Sequence, residues 1–220
     1  MITILQHGPG EGPGAILPHL TQAGVPFRVV RLYETGEVPA PVPAGPVIIL
    51  GGLMSVNDER EYPFLREEKR MIRNLAGKNI PVLGICLGAQ MIADAFGSAV
   101  TKSEEVERGW YRALSENGGL PGHPGRYPVF EWHNETFDLP QGATLLAAGA
   151  PVRNQAFRLG SCTGVQYHVE ATPDIIRNWA KELPREAREA IAADTGRYIE
   201  GNNDRCRRLL DHLTRIGEKA

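Results

Sequence analysis

Short apolar runs alternate, over the first hundred positions, with segments whose apolar residues recur every three or four. The runs are Ile2 to Leu5, Phe27 to Leu32, Val47 to Leu50 and Pro81 to Ile85. They have the length and continuity of strands buried on both faces. The first ends at His7-Gly8-Pro9-Gly10 and the third at Gly51-Gly52, both turn-forming sequences. Between the runs, Ala15 to Ala23, Pro63 to Leu75 and Leu87 to Phe96 read as helices. In the second of these, Phe64, Leu65, Glu68, Met71, Ile72 and Leu75 fall on one face and charged residues on the other. From Ala99 to about Tyr167 the texture changes to short strand-like pieces among turns: Trp110 to Leu114, Pro128 to Phe130, Thr144 to Leu146, Gln155 to Leu159 and Gly164 to Tyr167. The tail is helical again, over Pro173 to Lys181, Glu186 to Ala193 and Asp204 to Ile216. The last carries Leu209, Leu210, Leu213 and Ile216 as a stripe. This order predicts an α/β fold: a doubly wound, mostly parallel sheet flanked by helices, with added antiparallel strands and a helical C-terminal tail. No repeat or low-complexity linker interrupts it. One domain is expected over 1–220, with a core of about 1–180 and a helical extension of about 181–220.

Composition narrows the function classes. Hydrophobic residues make up 42% of the 220 and charged residues 23%, which excludes wholesale disorder. The 24 Lys+Arg against 26 Asp+Glu give a net charge of -2, too little field for a non-specific nucleic-acid binder. No apolar run approaches the ~20 residues of a membrane span. The first residues lack the basic and small-residue signature of a signal peptide, so no membrane association and a cytoplasmic location are expected. Three cysteines, at 86, 162 and 206, form neither a disulfide framework nor a zinc spacing. The expectation is a reduced chain with no metal and no cofactor.

The chemistry concentrates at Gly84-Ile85-Cys86-Leu87-Gly88, a Gly-x-Cys-x-Gly at the junction of a buried strand and a helix. A nucleophile elbow needs this arrangement: small neighbours allow a sharp turn, and the side chain projects above the sheet edge. The helix N-terminus favours thiolate, and the Leu87 N–H is placed to bind a developing oxyanion. Cys162, in a Gly-Ser-Cys-Thr-Gly turn, and Cys206, on a helix, lack that setting.

A thiol nucleophile needs a histidine and an orienting partner. Of six histidines, His168 ends an apolar run and is followed by Glu170 two positions on, on the same side of an extended chain. His133, between Glu131 and Glu135, is a rival, and His7 also lies at a strand end. His19, His123 and His212 read as surface residues. Gly51-Gly52 ends the strand preceding the nucleophile strand and offers a second amide, that of Gly52, to an oxyanion hole.

Gly51-Gly52-Leu53-Met54-Ser55, Gly84-Ile85-Cys86-Leu87-Gly88-Ala89-Gln90 and Gly164-Val165-Gln166-Tyr167-His168-Val169-Glu170 resemble, in order and spacing, the three signatures of class I (triad-type) glutamine amidotransferases. The similarity covers about residues 45 to 175. It is closest to the glutaminase domain of GMP synthase and its stand-alone relatives, which Ser55-Val56-Asn57-Asp58 and Asn154-Gln155-Ala156-Phe157 also resemble. The resemblance implies a flavodoxin-like doubly wound fold and a Cys-His-Glu triad. Cys86 would be the nucleophile, His168 the acid/base and Glu170 its orienter. The amides of Gly52 and Leu87 would form the oxyanion hole, and Gln90 would help hold the α-amino/α-carboxylate end of the substrate. The reaction implied is attack on a γ-carboxamide, a γ-glutamyl thioester, release of ammonia or an amine, then hydrolysis. Tyr167 and Val169 stand where the family usually has Phe and Pro, and Leu53 stands where Pro is common. Three functions compete: a glutamine amidohydrolase feeding a synthase partner in trans, a stand-alone hydrolase of γ-glutamyl amides or peptides, and a catalytically silent module on the same fold. An intact triad disfavours the last. The Gly36–Pro46 and Gly118–Pro128 stretches are expected to shape the leaving-group side of the pocket.

Overall fold

A computed structural model describes the backbone of residues 1–217 and the side chains through residue 215. The elements follow in the order β1 (Ile2–Gln6), α1 (Ile16–Gln22), β2 (Phe27–Arg31), α2 (Leu32–Thr35), β3 (Val47–Ile49), α3 (Phe64–Gly77), β4 (Val82–Ile85) and α4 (Leu87–Ala95). Then come β5 (Val100–Ser115), β6 (Arg126–Phe137), β7 (Thr144–Ala148), β8 (Asn154–Leu159), β9 (Cys162–Val165), α5 (Pro173–Ala180) and α6 (Arg185–Gly217).

Among the described residues nine strands form one sheet in the order β2-β1-β3-β4-β9-β8-β7-β5-β6. The first five are parallel, with Ile4 opposite Val29 and Ile48, Ile49 opposite Gly84, and Ile85 opposite Val165. The remaining pairings are antiparallel. The α/β expectation with an added antiparallel part is met. Apolar residues on both faces of β1, β3 and β4 require helices on both faces. One layer joins α1 and α6 to the sheet through Ile16, Leu20, Leu209, Leu210 and Leu213. The other joins α3 and α4 through Leu65, Ile72, Met91 and Ile92.

The structure differs from the sequence-based expectation at several elements. The two predicted tail helices are one helix, α6, which runs unbroken through Gly196 and Gly201. A side chain for Ile216, the fourth member of the predicted stripe, lies outside the described residues. The pieces at Trp110 to Leu114 and Pro128 to Phe130 belong to a long two-stranded ribbon, β5–β6, irregular between Lys102 and Glu107. The last strand ends at Val165, so His168 lies in a turn beyond it. His123 is buried, where a surface position was expected. Among the described residues no helix is long and apolar enough to cross a membrane.

Candidate active site

The C-terminal ends of the parallel strands bring together His7 after β1, Gly51-Gly52 after β3, Cys86 after β4 and His168 beyond β9. Open parallel sheets bind ligands at this edge. Cys86 caps α4 with φ +51° and ψ -107°, a conformation rare for a residue with a side chain. Its flanking glycines are sterically required. A Cβ on Gly84 would collide with the Gly88 carbonyl oxygen, and one on Gly88 would collide with that of Ile49. Neither backbone atom can withdraw without opening the strand–helix junction.

Glu170 accepts a 2.7 Å hydrogen bond from His168 Nδ1. That contact fixes the tautomer if the ring is neutral and leaves Nε2 for chemistry. Nε2 has no hydrogen-bond partner among the described residues. Its neighbourhood contains Cys86: a Cβ built on Gly51 would meet His168 Cε1 at 3.0 Å and Cys86 Cβ at 3.7 Å. Burial opposes charge on the imidazole, yet Glu170 and Cys86 outweigh it and hold its pKa well above the ordinary 6.5. Glu170 reaches His168 through a tight turn, the Ala171 N–H donating to the His168 carbonyl at 3.4 Å. An extended chain, the basis of the spacing argument, is not what aligns them. Trp179 of α5 stands edge-on to the imidazole, 4.6 Å between centroids, and its Nε1 donates to the Gly10 carbonyl at 3.1 Å.

The amides assigned to the oxyanion hole, Gly52 and Leu87, make no backbone hydrogen bond among the described residues. Leu87 opens α4, so its N–H has no intrahelical acceptor. Gln90 is buried, and its Nε2 donates to the Glu135 carbonyl at 3.0 Å and lies 3.4 Å from Gln166 Oε1. Its side-chain oxygen is the group left for a ligand.

His133, the rival base, is engaged on both nitrogens. Nδ1 lies 3.1 Å from the Glu135 carbonyl, and Nε2 lies 3.0 Å from Glu107 and 3.1 Å from Glu131. A ring facing acceptors on both sides is satisfied as imidazolium. Burial disfavours that charge, but the two carboxylates and Cys86 prevail and raise its pKa to about 10. Glu107, Glu131 and His133 have the donor set of a small cation site, with ligand atoms within 4.8 Å of one another; the imidazolium supplies the positive charge there itself. Sequence reasoning missed Glu107. Its signal, an acidic residue at an inward position of an otherwise charged strand, is invisible without the register.

His7 pairs with Glu68 at 3.0 Å. A cavity of about 520 Å³ opens above Cys86, walled by Met54 and Asn57 of the loop after β3, by Gln90, and by Lys102, Arg108 and Trp132 of the ribbon. Arg108 stacks over the Trp132 ring at 5.6 Å. The Gly36–Pro46 and Gly118–Pro128 stretches border other depressions and do not line this one. The β5–β6 ribbon, not those loops, bounds the cavity, because it folds over the sheet edge, where its Phe130 carbonyl accepts from the His168 N–H at 2.8 Å.

A doubly wound sheet with a strained cysteine elbow at its C-terminal edge and a buried His–Glu pair beside it defines a class of thiol-based α/β proteins. Comparison with known proteins makes it specific: residues 14–178 match the class I glutamine amidotransferase family, and the chain belongs to it. It is 32% identical to a glutamine-hydrolyzing GMP synthase subunit of Thermococcus kodakarensis, over 82% of this chain and 97% of that one. It is 28% identical to the glutamine amidotransferase-like protein YfeJ of Salmonella typhimurium, over 94% and 95% of the two chains. The crystal structure of a glutamine amidotransferase from Thermotoga maritima superposes with a TM-score of 0.89 at 28% identity, covering 96% of each chain.

Proposed function

We propose that the protein is a cysteine-dependent amidohydrolase that cleaves the γ-carboxamide of glutamine through a γ-glutamyl thioester. The observation that carries this reading is the strained Cys86 elbow with the His168–Glu170 pair, 2.7 Å apart, beside it. The Cys86 sulfur attacks the γ-carbonyl carbon. The carbonyl oxygen becomes an oxyanion received by the Gly52 and Leu87 amides. His168, charged and oriented by Glu170, passes its proton to the departing nitrogen, and ammonia leaves as the C–N bond breaks. His168 then takes a proton from water, whose oxygen attacks the thioester, and glutamate leaves as the C–S bond breaks. Gln90 Oε1 and the wall around Glu135 would receive the α-ammonium group.

The GMP synthase relative is by its name one subunit of an enzyme, which supports a synthase partner in trans that consumes the ammonia. A second reading, a stand-alone γ-glutamyl amide or peptide hydrolase, is favoured by the size of the cavity and by Lys102 and Arg108. Neither cation has an ion-pair partner among the described residues, and both could receive carboxylates of a substrate larger than glutamine. Kinetics of the purified chain on glutamine, γ-glutamyl amines, γ-glutamyl dipeptides and a des-amino analogue test both readings. Hydrolysis without partner or ATP, lost with the des-amino analogue, is expected. Inactivity on every member, with and without a co-purifying synthase, would refute the amidohydrolase reading.

A further inference from the structure

The turn that carries His168 and Glu170 is held by groups from distant parts of the chain. Asn202 of α6, fully buried, directs its Nδ2 to the His168 carbonyl at 3.2 Å and to the Val169 carbonyl at 3.0 Å. Both partners are acceptors, so the amide orientation is fixed and each Nδ2 hydrogen has its own target. The next carbonyl, that of Glu170, accepts from the Ala15 N–H at 2.9 Å. Three successive carbonyls of a buried turn are therefore satisfied from outside it. The turn has little to hold itself: its own bond, from the Ala171 N–H to the His168 carbonyl, is long at 3.4 Å. Position 169 is its second residue, where proline would preset φ, but a valine occupies it. The Val169 N–H has no backbone acceptor among the described residues, so an imino acid there forfeits no backbone hydrogen bond.

We propose that Asn202 is a positioning residue for the reaction, clamping the His168–Ala171 turn so that Glu170 meets His168 Nδ1, and that α6 thereby belongs to the working site. The match to the family ends at residue 178, so this helix lies outside it. The clamp performs from a remote helix the restraint that a proline at 169 would supply locally. It touches neither substrate nor sulfur, and acts only through the His168–Glu170 geometry. The proposal rests on the reading of Cys86, His168 and Glu170 as the reacting set.

The test compares Asn202→Ala, Leu209→Ala and Asn202→Ala combined with Val169→Pro. Each is followed by thermal denaturation, kcat and KM on the best γ-glutamyl substrate, and the pH profile of Cys86 alkylation by chloroacetamide. Leu209 is a core residue of the same helix whose side chain has no group to donate to the turn's carbonyls, so its loss weakens α6 and leaves the Asn202 hydrogen bonds. Asn202→Ala is expected to lower kcat by up to about 10²-fold with KM little changed, the scale of a misplaced reacting group. Its alkylation profile should differ from that of the wild-type chain. The added Val169→Pro should recover much of the loss, and Leu209→Ala should lower the melting temperature with kcat retained. Unchanged kcat and alkylation in folded Asn202→Ala, or an equal kcat loss in Leu209→Ala, would overturn the proposal. Where the alanine variant does not fold, Asn202→Ser, which keeps one donor, should give an intermediate kcat and profile, and wild-type values there overturn it equally. If the wild-type chain hydrolyses no γ-glutamyl compound, the functional reading falls alone, because the alkylation profile needs no substrate.

Discussion

Three buried cysteines differ in what surrounds the sulfur. Burial pushes the Cys162 thiol up to about 11, and Cys206, wholly enclosed and facing the charge of Glu170, rises further. Thiols so placed are neutral and slow to react at neutral pH. Cys86 alone has a helix N-terminus and two histidines held charged beside it. Cys86→Ala is therefore expected to abolish hydrolysis, with Cys162→Ala and Cys206→Ala active, and iodoacetamide with mass spectrometry should find Cys86 modified first. Labelling of Cys162 ahead of Cys86 would contradict this ordering. The two histidines divide their work by their partners. His168 has a free nitrogen and handles protons, so His168→Ala should cost about 10²–10⁴-fold in turnover, and Glu170→Gln less, since the imidazole keeps its place in part. His133 has no free nitrogen. Its replacement by Gln should show first as lost stability, on the order of 3–5 kcal/mol, because Glu107 and Glu131 are left buried without their cation. If His133→Gln instead keeps wild-type stability and loses the basic limb of the rate profile, the two roles are exchanged.

Elements differ in how openly the sequence declares them. The parallel strands were legible because burial on both faces leaves continuous apolar runs. The elbow was legible because sterics there admit only glycine at 84 and 88. The ribbon was not. Residues 101–106 of β5 are mostly polar and exposed, and the inward positions of β6 carry Glu131 and His133, so neither strand shows a hydrophobic period. Among the polar residues that hid the ribbon, Lys102 and His133 line the cavity above Cys86. The spacing argument takes the chain at His168 as extended; the structure has a turn, which also puts residues i and i+2 within reach, and Glu170 meets His168 Nδ1. The continuity of α6 was hidden by Gly196, Gly201 and the pair Asn202-Asn203, poor helix formers retained by tertiary contacts of Asn202. Packing around the elbow gives an element-scale expectation. Gly88→Ala drives a methyl into the Ile49 backbone and should lower stability by about 1–3 kcal/mol. Gly77→Ala, at the end of α3 with open space around it, should raise stability by about 0.4–1 kcal/mol. Paired urea melts decide, and equal midpoints for the two variants would count against the packing described for β4 and α4.

Across the whole molecule, formal charge nearly cancels, 24 basic against 26 acidic residues, and buried groups dominate the pH dependence of stability. Three histidines govern it in opposite senses. His133 and His168 are raised above the ordinary 6.5, so above that pH the folded chain keeps protons that the unfolded chain releases. Their contribution is full below about pH 6.5 and is lost as pH rises, toward pH 10 for His133. His123 is the reverse. Enclosed against Tyr127 and Tyr167, with Nδ1 2.8 Å from the Pro121 carbonyl and Nε2 without a partner among the described residues, it is pushed by burial down to about 4. Below pH 6.5 the unfolded chain gains a proton there that the folded chain refuses, and stability falls until about pH 4. A shift of that size corresponds to about 3 kcal/mol. Glu11 and Glu131, raised by burial, hold protons in the fold on the acid side and offset part of that loss. A stability maximum between pH 6 and 7 is expected, on the order of one unit wide by these pKa positions. His123→Gln, which can still donate to the Pro121 carbonyl but cannot charge, should flatten the acid limb and leave the alkaline limb in place. Urea midpoints at about pH 4.5, 6.5 and 9 for the wild-type chain and this variant measure both limbs. An acid limb equally steep in the variant would assign the acid sensitivity to groups other than His123.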